Sequence, residues 1–175
     1  MNYKGPLFFS VIVLTVCALC ILGSILYLNS GYFTFALDDA YIHLALAENI
    51  MNGHYGINLE ESSAPASSAL WPFLVAPVAV LSWAEYFIFF ANTLFACMTL
   101  FVFWKILLPE TAAISEEGMV RQKTVLRSML ILLIPSCNLL GLVFCGMEHS
   151  LQVLLSVTIF YGMTRELQTS RPRWW

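Results

Sequence analysis

The stretch LFFSVIVLTVCALCILGSILYL, residues 7–28, decides the fold class. It contains neither a charged residue nor a proline. A helix needs about 20 apolar residues to cross the hydrocarbon core of a bilayer, and this run supplies them. It also exceeds the roughly 7–15 apolar residues of a secretory signal, so it reads as a retained anchor following a weakly basic start at Lys4. Composition agrees: of 175 residues 59% are hydrophobic and 11% charged, and mean hydropathy is +0.78. A soluble domain is about 45–50% apolar and about 25% charged, so this much apolar mass needs lipid around it. Net charge is −3 and no basic block occurs, which argues against nucleic acid and leaves the lipid bilayer as the expected partner.

Working outward, three more segments are apolar enough to span: residues 86–108, 125–145 and 147–165. A further run, Leu70–Trp83, is too short and contains Pro72 and Pro77; proline is tolerated in a first turn but kinks a helix interior. Charge sets the orientation. Cytoplasmic loops carry the Lys/Arg excess. Lys4 precedes the first span, Lys105, Arg121, Lys123 and Arg127 flank the loop 109–124, and Arg165, Arg171 and Arg173 lie at the end. Between Asn29 and Glu85 there is no Lys or Arg. Four spans put every basic cluster inside, the 29–85 loop outside and both termini in the cytoplasm. The expected fold class is therefore an all-α membrane protein: a single membrane domain over 1–175 with about four transmembrane helices. Outer-face helices are expected over about 39–52, interfacial, and 69–83, juxtamembrane. The tail Arg171-Pro172-Arg173-Trp174-Trp175 reads as an inner-interface anchor, where Arg and Trp are both favoured.

The outer loop holds the chemistry. Asp38 suits an N-cap, Asp39 the first turn and Gly53 the C-terminal stop of the interfacial helix. Ser67 or Ser68 is the expected cap of the juxtamembrane helix. One aspartate would satisfy the capping role. Two adjacent acids at a membrane boundary cost desolvation and are functional suspects. Neighbouring carboxylates can divide general-base work between them, or hold a divalent cation through hard oxygen ligands. Asp39 and His43 are four residues apart and share a helix face, a spacing that suits metal ligation and equally a surface hydrogen bond. Glu148-His149 opens the last span on the same side of the membrane; an acid there also suits a helix start. Asn92, Asn138 and Gln152 are expected to make polar contacts between helices. The five cysteines, Cys17, Cys20, Cys97, Cys137 and Cys145, all fall in apolar runs and read as packing residues. No glycine-rich phosphate loop, nucleophile elbow or zinc-type Cys/His spacing occurs.

Leu37-Asp38-Asp39-Ala40-Tyr41-Ile42-His43-Leu44-Ala45-Leu46-Ala47-Glu48-Asn49-Ile50, then Asn52-Gly53-His54-Tyr55-Gly56, then Ser67-Ser68-Ala69-Leu70-Trp71-Pro72, resembles the first outer loop of GT-C superfamily membrane glycosyltransferases. Gly146-Met147-Glu148-His149 is similar to the short acidic motif at the outer end of a later span in that superfamily. The likeness is to bacterial enzymes of the dolichyl-phosphate-mannose/aminoarabinose transferase type. It implies a partial GT-C bundle in a bacterial inner membrane. It also implies transfer of a sugar from a polyprenyl-phosphate donor to an acceptor on the outer face. Asp38 would be the catalytic base and Asp39 its partner. His43, His54, Glu148 and His149 would be substrate-binding candidates, and Asp39 with His43 the candidate pair for a divalent cation. Family members carry further spans, so the resemblance covers nearly all of this chain but only the N-terminal part of the family. That implies a truncated or split module completed by a second chain, or a non-catalytic fragment or accessory subunit.

Overall fold

The computed structural model describes residues 3–58, 63, 66–108 and 116–169. The expected anchor Arg171–Trp175, the pair Glu60-Glu61 and residues 109–115 of the expected loop lie outside them. The protein is all-helical, with no strand among the described residues. In chain order it has α1 (Lys4–Leu28), α2 (Asp39–Met51), α3 (Trp71–Ala79), α4 (Ala84–Leu107), α5 (Glu116–Ser136), α6 (Leu139–Phe144) and α7 (His149–Thr169).

Two helices, α1 with 25 residues and α4 with 24, are long and apolar enough to cross a membrane. At about 1.5 Å per residue each exceeds the roughly 30 Å of a hydrocarbon core. The buried side of α1 is a single stripe, Pro6, Ser10, Leu14, Ala18 and Leu22, spaced every fourth residue. The rest of the helix exposes Phe8, Phe9, Ile12, Val16, Leu19 and Ile21. Helix α4 is the hub: it packs against α1, α3, α5, α6 and α7. Its buried side includes the small residues Ala84, Ala96 and Thr99, which let helix backbones approach closely.

The segment expected as one helix over 125–145 is broken. Helix α5 ends at Ser136, Asn138 takes a left-handed conformation at φ 47°, and the short α6 resumes at Leu139. Pro135 lacks the N–H that would bond the Ile131 carbonyl, the ladder still reaches from the Cys137 N–H to the Leu133 carbonyl at 2.9 Å, and the break falls at Asn138, asparagine being among the few residues that tolerate the left-handed region. The Asn138 amide lies where a side chain at Gly141 would begin. Asn138 is thus a break residue in this fold. Helix α5 starts at Glu116, so part of the expected 109–124 loop is helical. Helix α3 is shorter than the expected 69–83, and Ser68 Oγ accepts the Trp71 N–H at 3.3 Å.

The bundle has two chemically different ends. At one, the start of α1 meets the end of α4 and the first half of α5: Trp104 Nε1 donates to the Tyr3 carbonyl at 2.9 Å, and Tyr3 OH to Gln122 Oε1 at 2.9 Å. Lys4, Lys105 and Lys123 gather here, with Lys105 5.3 Å above the Trp104 ring and Lys123 5.9 Å above that of Tyr3. At the other end lie the segment from Phe33 to Asp39, the start of α4 and the starts of α2 and α7. The Phe33 ring wedges between Phe35, Tyr86 and Phe89, with ring centroids 5.0, 5.5 and 5.7 Å away.

Candidate functional site

After α1 the chain reverses through Ser30 and Gly31, both at positive φ. Buried Phe33 and Phe35 then hook the following strand of loop under the bundle end. The Ala36 N–H donates to the Phe144 carbonyl at 2.9 Å, and the Phe35 N–H to Tyr41 OH at 3.0 Å. These bonds set where α2 begins. Its cap is Asp38, whose carboxylate accepts the Asp39 N–H at 3.1 Å. Asp39 occupies the first turn, where the helix dipole favours an acid. Both carboxylates are exposed.

Gly146 brings the second half of the site to the first. It sits at φ 73°, and a Cβ there would lie 2.6 Å from the Phe35 ring and 2.7 Å from Ala40 Cβ. Only a residue without a side chain lets the turn before α7 close onto the first turn of α2. Asn92, fully buried in α4, holds the next residue: its Nδ2 donates to the Met147 carbonyl at 3.0 Å. Glu148 and His149 follow directly, at the start of α7.

His43, one turn into α2, is only 1% exposed. Its Nε2 lies 3.4 Å from Ser67 Oγ. Burial pushes its pKa below the usual imidazole value, against the pull of the Glu148 and Asp39 carboxylates and with a push from His149. The ring is therefore neutral at neutral pH and offers one donor and one acceptor nitrogen. Glu148 is 7% exposed; its Oε1 accepts from Gln152 Nε2 at 3.1 Å, and Gln152 Oε1 lies 3.2 Å from His149 Nδ1. Among the described residues the buried side-chain atoms without a hydrogen-bond partner are His43 Nδ1, Trp71 Nε1, Asn92 Oδ1, Glu148 Oε2 and Ser150 Oγ. An unmet buried polar atom costs about 1–3 kcal/mol, and each such atom in a native fold calls for an explanation.

Asp39, Glu148 and His149, predicted from two segments far apart in sequence, thus bear electrostatically on His43, with Asp38 next to Asp39 on the chain. His54 is not brought in. It follows the C-terminal end of the 13-residue α2, roughly 20 Å from Asp38 along the helix, and its Nε2 lies 2.8 Å from the Asn58 carbonyl. Among the described residues no three His, Cys, Asp or Glu side chains converge to hold a metal ion, so Asp39 and His43 have no third ligand of these types. In the sequence Ser67 or Ser68 reads as a helix cap, and Trp71 and Ser150 carry no site role. Nothing local to these residues distinguishes a cap or a packing residue from a site lining; only the fold puts Ser67 beside His43. No protein-family model, curated protein or solved structure matches this chain.

Proposed function

We propose that this chain is a membrane glycosyltransferase module of the GT-C type that transfers a sugar from a polyprenyl-phosphate donor to an acceptor on the outer face of the membrane. The observation that carries the reading is the packing of the turn before α7, at Gly146, onto Phe35 and the first turn of α2 at Ala40. Two exposed carboxylates stand at the rim, and buried His43 and Glu148 stand behind them with hydrogen-bonding atoms unmet. In this reading α1, α4, α5 with α6, and α7 form four spans, and both termini are cytoplasmic. The distribution of charge between the two ends of the bundle supports that orientation, since Lys4, Lys105 and Lys123 share one end and Asp38 and Asp39 the other. Positive charge favours the cytoplasmic side. Helix α7 leaves Leu155, Ile159, Phe160 and Met163 exposed, a face on which further spans of a second chain would pack.

The chemistry follows from the site. Asp38 takes the proton of an acceptor hydroxyl as its oxygen bonds to the anomeric carbon of the donor. The bond from that carbon to the phosphate oxygen breaks, and the polyprenyl phosphate leaves with the electron pair. His149, less buried than Glu148, hydrogen-bonds a sugar hydroxyl, and buried His43 and Glu148 set the polarity behind it. Asp39 orients Asp38 and the acceptor.

Removing a general base typically costs about 10²–10⁴-fold in rate. Asp38→Asn is therefore expected to lower transfer from a polyprenyl-phosphate sugar by that factor in the active assembly, with membrane insertion unchanged. Full activity in the variant overturns the base assignment. If the chain is instead an accessory subunit, Asp38→Asn leaves the transfer rate of its complex unchanged while deletion of the chain abolishes it. A cysteine placed at Ser63, in a background lacking the five native cysteines, is expected to react with an impermeant reagent from outside. Labelling only from the cytoplasmic side reverses the orientation and the mechanism with it.

A further inference from the structure

The basic end of the bundle carries its own binding geometry, independent of the acidic site. Between the first half of α1 and the first half of α5 runs an open groove of about 530 Å³. Its walls are the exposed rings and methyls of Phe8, Phe9 and Ile12, and its edge is Lys123, Thr124 and Arg127. None of the described residues lining it is acidic. Lys123 and Arg127 are four residues apart on one helix and so share a face. Both are seated on aromatic rings: Lys123 Nζ is 5.9 Å from the Tyr3 ring centre, and the Arg127 guanidinium 5.5 Å from that of Phe9. The two cations are thereby positioned at the mouth of an apolar channel.

The geometry points to this groove as a site for an anionic phospholipid of the inner leaflet. Lys123 and Arg127 hold the phosphate, and an acyl chain lies along Phe8, Phe9 and Ile12. Guanidinium and ammonium groups are the ordinary partners of phosphate oxygens, and the apolar floor matches a hydrocarbon chain, not a soluble anion. A free phosphate would use only the edge. The assignment rests on the bilayer reading of α1 and α4 and, for the leaflet, on the orientation with the basic end inside, and not on the transferase reading.

The test uses the full chain in mixed micelles holding equal amounts of phosphatidylglycerol and phosphatidylcholine, with retained lipid counted by native mass spectrometry. A basic residue near an anionic headgroup plane is worth about fivefold in partitioning, so the two together favour phosphatidylglycerol by on the order of tenfold or more. Lys123→Gln with Arg127→Gln is expected to remove most of that preference, and Lys123→Arg with Arg127→Lys to keep it. In the wild-type protein the preference falls as salt is raised, because the contact is electrostatic. Equal retention of the two lipids, an unchanged preference in the double Gln variant, or a salt-insensitive preference overturns the site. Displacement of the lipid by glycerol phosphate, a headgroup without chains, shows a soluble-anion site and overturns the lipid assignment. Flotation with phosphatidylcholine vesicles reads the bilayer assignment separately: loss of flotation sinks that reading, while intact flotation with no preference sinks only the lipid site.

Discussion

The two ends of the bundle treat their polar groups in opposite ways. At the basic end, among the described residues, the buried polar atoms are paired and cations rest on rings: Trp104 Nε1 meets the Tyr3 carbonyl, Tyr3 OH meets Gln122, and Lys105 and Lys123 lie over aromatic faces. At the acidic end His43, Asn92, Glu148 and Ser150 are buried with hydrogen-bonding atoms unmet. The first arrangement stabilises: each buried bond contributes about 1 kcal/mol net, and aromatic residues beside basic ones suit an interface. The second costs stability and persists only if the surrounding helices hold it. Among the described residues the unmet polar atoms thus gather at the end where the proposed site lies.

The largest expected effect breaks the assembly of the acidic end. Gly146→Val sets a branched side chain against Phe35 and Ala40 at a positive φ. Overpacking costs about 1–3 kcal/mol and the left-handed backbone roughly 1–2 more. Thermal unfolding in detergent is expected to show a clear loss, and hydrogen exchange to show it concentrated around α2 and the start of α7. A variant as stable as the parent would mean that the two halves of the site are not pressed together.

The second effect is a pH dependence that belongs to the acidic end alone. The pKa of His43 is lowered in the folded protein relative to about 6.5 in the unfolded chain. Between those two values the unfolded chain binds a proton that the folded protein does not. Stability therefore rises with pH through that window and falls on acidification below about 6.5. Unfolding followed from pH 7.5 down to pH 5 is expected to show this loss, and His43→Gln to flatten it. A wild-type curve with no slope there contradicts a buried neutral imidazole.

The smallest effect tests the basic end. Trp104→Phe keeps most of the ring but removes the bond to the Tyr3 carbonyl, at a cost of about 1–2 kcal/mol. Stability is expected to fall modestly, with transfer activity in the proposed assembly unaffected. Loss of activity at wild-type stability would show that the two ends are coupled and that the contrast between them is too simple.

Much of the fold is legible in residue order. The uncharged run 7–28 and the apolar run beginning near Tyr86 appear as α1 and α4 because length and apolarity are local properties. Helix α2 starts after Asp38 and ends before Gly53, which takes φ 77°, because caps and left-handed stops are local as well. The break between α5 and α6 went unread. The run 125–145 is mostly apolar, with Arg127 and Ser128 near its start and Ser136 and Asn138 within it, and the interruption depends on how Pro135 and Asn138 share the backbone bonds of one turn. A proline followed within a few residues by asparagine was the available signal.

By itself the sequence determined that this chain carries two apolar runs long enough to form helices that could cross a membrane. It also determined that Asp38-Asp39 begins one helix and Glu148-His149 another, since each of these depends on residues within a turn or two. Only the tertiary structure decided that the turn before α7 closes on the first turn of α2, that His43 is buried and feels the charges of Glu148 and Asp39, and that His54 stands apart. Those facts depend on Gly146 closing against Phe35 and Ala40 and on Asn92 holding Met147. Such close approach is a property of surfaces far apart along the chain, which no local pattern encodes.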